Sequence, residues 1–416
     1  MVTELFEKTI TSNMKVLFLN LYKPTVNASG GIARVTGNLA KLFTQRGYAC
    51  GVAYYNDSEG ESDDCFETAV RLESGREEPL LKKLASSYQI FVIQIQMSKA
   101  YLHLVPLFEE IRHSFGTKVI YCHHNVPFTE AAGYDFNYLK YLLFYSQEQL
   151  SVRLKESIWC LTAMALPRYA KRRIASRRKY VADHVDKTVL LSESFIPSFR
   201  EYVNCPDSKV TAIGNCVTFR DRLNPEELDN KEKTILVVSN MNERAKRIST
   251  ILRIWCEVTC SGNHPDWKLV LIGNGPDLNY YKKLAARLKL RNYSFKGTCD
   301  PLPYYEKGSL LLLTSAYEGF GMVILEAQQM GCVPVVYDSY ESVHDLITDG
   351  ENGLLIENKN RKQFCSTLEH LMEHEEERRR IALNCINMDN RFSNDRIYSL
   401  WKNLFDSLVR ENNESE

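Results

Sequence analysis

Apolar and polar positions along this chain fall into two alternating periods. Lys15 to Leu21 is a nearly unbroken apolar run of strand length, and a polar loop follows to Gly31. Ile32 to Arg46 then places its apolar residues at helical spacing, and Ala49 to Tyr55 returns to strand. Strand, helix, strand is the unit of a parallel sheet. Short apolar runs at Ile90 to Ile95, Val119 to Cys122, Thr188 to Leu191 and Val210 to Ile213 predict a doubly wound first half. The polar stretch from Asn224 to Lys233 has no apolar period and is the expected domain linker. A second sheet is predicted from Thr234 to Ser239, Lys268 to Ile272, Tyr293 to Phe295, Leu310 to Leu313 and Val333 to Val336. Helical segments lie between these strands, one of them at Ser249 to Cys260. The expected fold class is α/β, with two Rossmann-like doubly wound domains.

Composition narrows the function classes. At 416 residues the chain has room for two or three domains. An apolar content of 44% and a charged content of 25% describe ordinary globular packing rather than disorder. Lys and Arg number 52 and so do Asp and Glu, so nothing global favours nucleic acid. The twelve cysteines are dispersed without Cys-x-x-Cys, which reads as reduced core thiols of a cytoplasmic protein. Glu4, Glu7 and Lys8 stand where a signal peptide needs its apolar stretch, and no segment reaches the length of a membrane span. The acidic run Asp57, Glu59, Glu61, Asp63 and Asp64 reads as a solvated loop, so no metal site is expected. Arg168, Lys171, Arg172, Arg173, Arg177, Arg178 and Lys179 form a basic amphipathic segment. It suits either an anionic lipid surface or an ordinary solvated helix.

The richest chemistry lies between Leu310 and Ala327, Leu-Leu-Leu-Leu-Thr-Ser-Ala-Tyr-Glu-Gly-Phe-Gly-Met-Val-Ile-Leu-Glu-Ala. A buried strand ends at Glu318, Gly319-Phe320-Gly321 makes a tight turn, and an apolar helix begins with Glu326 set into it. A helix N-terminus offers N–H groups and partial positive charge to an anion, and the glycines admit close backbone approach. Glu326 is a carboxylate among apolar residues, costly to bury unless hydroxyl partners such as those of a ribose receive it. Upstream, Ser29-Gly30-Gly31-Ile32 joins the first strand to the first helix, where backbone N–H groups face a phosphate or an acceptor. Val119 to Cys122 delivers His123 and His124 at a strand end, the edge at which open α/β sheets bind ligands. Asn240, Arg244, Lys246 and Arg247 follow the first strand of the second half as a basic turn.

Two glutamates eight positions apart, with Gly-Phe-Gly after the first and Glu-Ala at the second, resemble the retaining GT-B glycosyltransferases of group 1, glycosyltransferase family 4. The likeness continues through Gly331-Cys332-Val333-Pro334-Val335-Val336 and the turn from Asp349 to Leu355. It implies GT-B architecture: domains 1–222 and 223–395 facing across a cleft, and a last segment, 396–416, crossing back to the first domain. The resemblance implies Glu318 orienting the sugar, Glu326 holding the ribose, His124 in preference to His123 beside the donor sugar, and Lys246 on the diphosphate. Asn240 occupies the usual Arg position, leaving Arg244 and Arg247 as alternative substitutes. Gly30, Gly31, Gly319, Phe320 and Gly321 would line the donor.

The implied activity is metal-independent, retaining transfer from a nucleotide-sugar, UDP-sugar ahead of GDP-sugar, to a glycan or lipid-linked acceptor in bacterial surface polysaccharide synthesis. The nucleotide-sugar is a substrate, and no cofactor is expected. Placement would be cytoplasmic, with peripheral contact at the inner membrane surface through 168–179 and no nucleic-acid partner. The alternatives are a GT-B nucleotide-sugar epimerase and a nucleotide-sugar-binding protein without transfer.

Overall fold

The computed structural model describes residues 14–25, 31–58, 64–219, 221–260, 264–387 and 390–413. The chain divides into two compact units. The first comprises residues 1–127, 175–216 and 390–416, the second 128–174 and 217–389.

In the first unit seven parallel strands form one sheet: β1 (Lys15–Tyr22), β2 (Ala49–Asn56), β3 (Thr68–Arg71), β4 (Ile90–Ile93), β5 (Lys118–His123), β6 (Lys187–Leu190) and β7 (Val210–Ala212). Their order is β3-β2-β1-β4-β5-β6-β7, so the winding reverses between β1 and β4. Val16 to Leu19 on β1 and all four residues of β4 are fully buried, as expected of strands covered on both faces. The helix Gly31–Thr44 packs one apolar face against this sheet through Leu39, Leu42 and Phe43. The helix Asn394–Asn413 adds Ile397, Trp401, Leu404, Phe405 and Leu408 to the same core. β3 went unpredicted because its four residues are an edge strand without a buried run.

The second unit holds six parallel strands: β8 (Glu232–Val238), β9 (Lys268–Ile272), β10 (Tyr293–Gly297), β11 (Gly308–Leu313), β12 (Val333–Asp338) and β13 (Leu354–Glu357). They lie in the order β10-β9-β8-β11-β12-β13. Here the winding reverses between β8 and β11, which pair in parallel. The stretch expected to be the linker holds regular local structure. Pro225–Asn230 is a short 3₁₀ helix with an Asn224/Glu227 capping box, and Glu232 and Lys233 already belong to β8.

Residues 128–174 were not expected in this unit. They supply α1 (Phe136–Phe144), α2 (Leu150–Ala165) and the first part of α3 (Pro167–His184). Within the unit, α4 (Glu243–Lys246) and α5 (Ile248–Cys260) follow β8, and α6 (Met322–Gln329) follows β11. No helix among the described residues is long and apolar enough to cross a membrane.

Candidate functional site

Adjacent strands at a winding reversal open a crevice at their C-terminal ends. In the second unit these ends belong to β8 and β11, and the chain segments leaving them carry Lys246 and Glu318. Lys246 Nζ lies 2.5 and 2.6 Å from the two carboxylate oxygens of Glu318. The Ser315 hydroxyl donates to Glu318 at 2.7 Å. One backbone and one side-chain bond hold the two segments in register: Ala316 N donates to Ala245 O at 2.6 Å, and the Thr314 hydroxyl donates to Arg247 O at 2.9 Å. The pair is only partly screened, with side-chain exposures of 22% for Lys246 and 11% for Glu318.

The turn beyond Glu318 requires its glycine. Gly321 is the N-terminal cap of α6 at φ 94°, a conformation open to glycine at little cost. Phe320 and Gly319 are buried beside it. Glu326 sits one turn into α6 and is fully enclosed, accepting from Thr218 Oγ1 at 2.9 Å and from the Tyr305 phenol at 3.2 Å. The hydroxyls that meet the Glu326 carboxylate here are the protein's own.

Neither candidate arginine points loosely into solvent. Arg244 donates to the Tyr134 hydroxyl at 3.0 Å, to Thr129 O at 3.0 Å and to the Tyr317 hydroxyl at 3.3 Å, and it pairs with Glu156. Burial alone would lower its pKa, but Tyr317, Tyr134 and Glu156 outweigh that and hold it above the ordinary value. Arg247, in the left-handed region at φ 52°, pairs with buried Asp135 and donates to Gly133 O at 3.1 Å. Burial pushes the Asp135 carboxyl up, yet Arg247, the Tyr138 N–H and Lys359 bring it below its usual range. Both guanidinium groups thus anchor residues 129–156 onto α4 and its C-terminal cap Arg247. That explains why this segment belongs to the second unit.

Sequence reasoning missed the turn after β9. Gly273, at φ 123°, and Gly275 let that backbone press against Ser239, Asn240 and Met241: a Cβ on Gly273 would stand 1.9 Å from Ser239 O. The signal was legible as Gly273-Asn274-Gly275-Pro276 directly after an apolar strand. A cavity of about 860 Å³ also lies in this unit, lined by Tyr138, Tyr141, Arg247, Arg253, Thr314 and Lys359 among others. Its lining includes neither Lys246, Glu318 nor Glu326.

In the first unit His123 and His124 differ sharply. His123 is buried with both ring nitrogens engaged, Nδ1 by the Tyr121 hydroxyl at 3.1 Å and Nε2 by Val126 O at 3.0 Å. Burial first, then the Arg178 charge, holds its pKa well below the ordinary histidine value. His124 is half-buried, meets the Gln94 carboxamide through Nε2, and is lowered by burial to about 4. Both are neutral at pH 7. Gly31 opens the helix Gly31–Thr44, and an added Cβ would meet nothing within 4 Å among the described residues. Gly30 lies outside the described residues.

Residues 219–388 match the model of the family described as glycosyl transferases group 1. Among relatives, the poly(glycerol-phosphate) alpha-glucosyltransferase of Bacillus subtilis is 31% identical over 154 residues, 36% of this chain and 23% of that protein. The chain therefore spans under a quarter of that relative's length. The amylovoran biosynthesis glycosyltransferase AmsD of Erwinia amylovora is 20% identical over 380 residues, covering 86% of this chain and 90% of its own. Among solved structures, Anabaena Alr3699/HepE in complex with UDP-glucose superposes with a TM-score of 0.70 at 15% identity, over 95% of this chain and all of that one. Sucrose-phosphate synthase from Thermosynechococcus elongatus gives 0.69 at 15%, over 96% of this chain and all of that one. The chain has the GT-B fold, and its residues 219–388 carry a domain of the group 1 glycosyltransferase type.

Proposed function

We propose that this protein is a retaining, metal-independent glycosyltransferase that moves a sugar from a nucleotide-sugar to a glycan or lipid-linked acceptor in bacterial surface polysaccharide synthesis. The single observation that carries the reading is the contact between Lys246 and Glu318 at the β8/β11 reversal, in a domain of the group 1 type. In this reading the donor's diphosphate takes Lys246 from Glu318, and the carboxylate turns to the sugar hydroxyls. Charge developing on the leaving phosphate is met by a positioned ammonium and by the N-terminus of α6, electrostatics organised in advance of the reaction. Glu326 receives the ribose, which replaces the hydroxyl of Thr218 or Tyr305.

With both guanidinium groups committed to residues 129–156, Lys246 bears the diphosphate largely alone among the side chains of this turn. His124, neutral and paired with Gln94, is the histidine suited to a sugar hydroxyl, while His123 is occupied in the core. UDP-sugar is the favoured donor and GDP-sugar the alternative. The protein works in the cytoplasm, with peripheral contact at the inner membrane surface.

A panel of UDP- and GDP-sugars incubated with the purified protein and followed by mass spectrometry tests the reading. Release of nucleotide with the sugar otherwise unaltered is expected. An isomerised sugar would mark an epimerase, and binding without turnover a protein that has lost transfer.

A further inference from the structure

Ten of the thirteen large hydrophobic residues exposed among the described residues lie between Phe136 and Tyr169. They are not scattered. On α1, Phe136, Leu143 and Phe144 share a face with Lys140, and Phe136 and Phe144 are 75% and 70% exposed. On α2, Leu150, Leu154, Ile158 and Leu161 fall within an arc of roughly 80° at 3.6 residues per turn. The opposite arrangement is normal for a surface helix. Here the buried residues of α2 are the small Ser157, Cys160 and Ala163, Trp159 and Met164 are half-buried, and the four leucine and isoleucine side chains of the stripe face outward. Leu166 and Tyr169 extend the exposed face onto the start of α3.

Charge identifies the occupant of this face. Residues 136–173 contain seven bases, Lys140, Arg153, Lys155, Arg168, Lys171, Arg172 and Arg173, against the two acids Glu148 and Glu156, a net charge of +5 in a chain that is neutral overall. Lys140, Lys155, Arg168, Arg172 and Arg173 are exposed. A second copy meeting this face symmetrically would bring like charge to like charge. An anionic bilayer offers the complement to both features, acyl chains for the stripes and headgroup charge for the bases. The basic stretch expected from sequence is trimmed at its far end, since Arg178 is buried and donates to Pro127 O at 3.1 Å.

We infer that α1, α2 and the first turns of α3 form an insertion surface that seats the protein in the headgroup region of an anionic membrane, with Phe144, Leu154 and Ile158 entering the acyl boundary. This deepens the peripheral membrane contact proposed above and rests on it, but it makes apolar insertion, not the basic stretch, the main hold.

Co-sedimentation with phosphatidylcholine vesicles, with and without phosphatidylglycerol, tests it at low and high salt. The expected result is binding to the anionic vesicles that persists in part at high salt, because salt screens charge and leaves apolar burial intact. The pair Phe144→Glu with Ile158→Glu should lower the bound fraction at least about tenfold at every salt concentration. Arg168→Glu with Arg172→Glu should lower it only at low salt. Independently of any loss-of-binding variant, Leu154→Trp should show blue-shifted fluorescence quenched by brominated acyl chains.

No binding to anionic vesicles would overturn the inference. So would binding that high salt abolishes and the glutamate pair leaves untouched, or emission from the Leu154→Trp variant that is indifferent to bromolipid. A dimer that the glutamate pair dissociates, without vesicle binding, would make the face a self-association surface instead. Vesicle binding needs no donor and nucleotide release needs no vesicle, so failure of transfer and failure of docking are read separately.

Discussion

Glu318→Gln separates the two partners of the central pair. Glutamine keeps the shape of the side chain and an acceptor for the Ser315 hydroxyl, but it no longer holds the Lys246 charge. A hydrogen bond to a charged partner contributes about 1.5–3 kcal/mol. Lys246 is about a fifth exposed, so screening brings the value to about 1–2 kcal/mol. In the free protein that amount opposes capture of a diphosphate by Lys246. The substitution should therefore tighten UDP or GDP binding by roughly 5- to 30-fold. Turnover should move the other way, falling about 100-fold or more as the sugar loses its orienting carboxylate. Isothermal calorimetry with free nucleotide and a nucleotide-release assay give the two numbers. Parallel losses of affinity and turnover, or no change in either, would refute the exchange of Lys246 between carboxylate and phosphate.

Other outcomes follow from the same geometry. Glu326→Ala should weaken nucleotide binding by about 1.5–3 kcal/mol and also lower the melting temperature, because Thr218 and Tyr305 lose a buried acceptor; unchanged affinity by calorimetry would sink the ribose role. Arg247→Met takes the nearer cation from buried Asp135 and leaves it the more exposed Lys359, a change of about 3–5 kcal/mol where such a pair is wholly enclosed. Hydrogen exchange across Phe136–Phe144 should then accelerate, and unaltered protection would show that the pair does not fix the segment.

Burial raises the Glu243 carboxyl from 4.5 to about 7. A carboxyl raised on folding adds stability that is complete below its unfolded pKa and is lost as pH rises through the folded one. Its contribution, at most about 3 kcal/mol, should therefore fade between pH 4.5 and 7. The lowered histidines act in the opposite sense below pH 6.5, so the readout is the difference in melting temperature between wild type and Glu243→Gln across that window. Transfer should survive EDTA, and loss under chelation restored by Mn²⁺ would overturn the metal-free reading.

The two sheets were legible because each central strand is a run of apolar residues, and a strand covered on both faces has no polar alternation to hide it. The Glu318 to Glu326 region was legible for a related reason: glycines after an apolar strand restrict what the backbone can do. Less visible was the use of Arg244 and Arg247. A guanidinium near a strand end looks the same in sequence whether it awaits a phosphate or holds Tyr134, Glu156 and Asp135, because those partners are distant along the chain. The same distance hid the membership of residues 128–174 in the second unit. The local structure of the stretch from Asn224 to Lys233 was not legible, since a capping box and a 3₁₀ turn are as polar as an irregular connection.

The most direct test of the account is a crystal structure of the protein with UDP bound. The account predicts diphosphate oxygens within about 3 Å of Lys246 Nζ and against the N-terminus of Met322–Gln329, Glu318 released from Lys246, and the ribose hydroxyls on Glu326. A nucleotide seated instead in the cavity between Tyr138 and Lys359, or a Lys246–Glu318 pair left intact beside bound UDP, would contradict it.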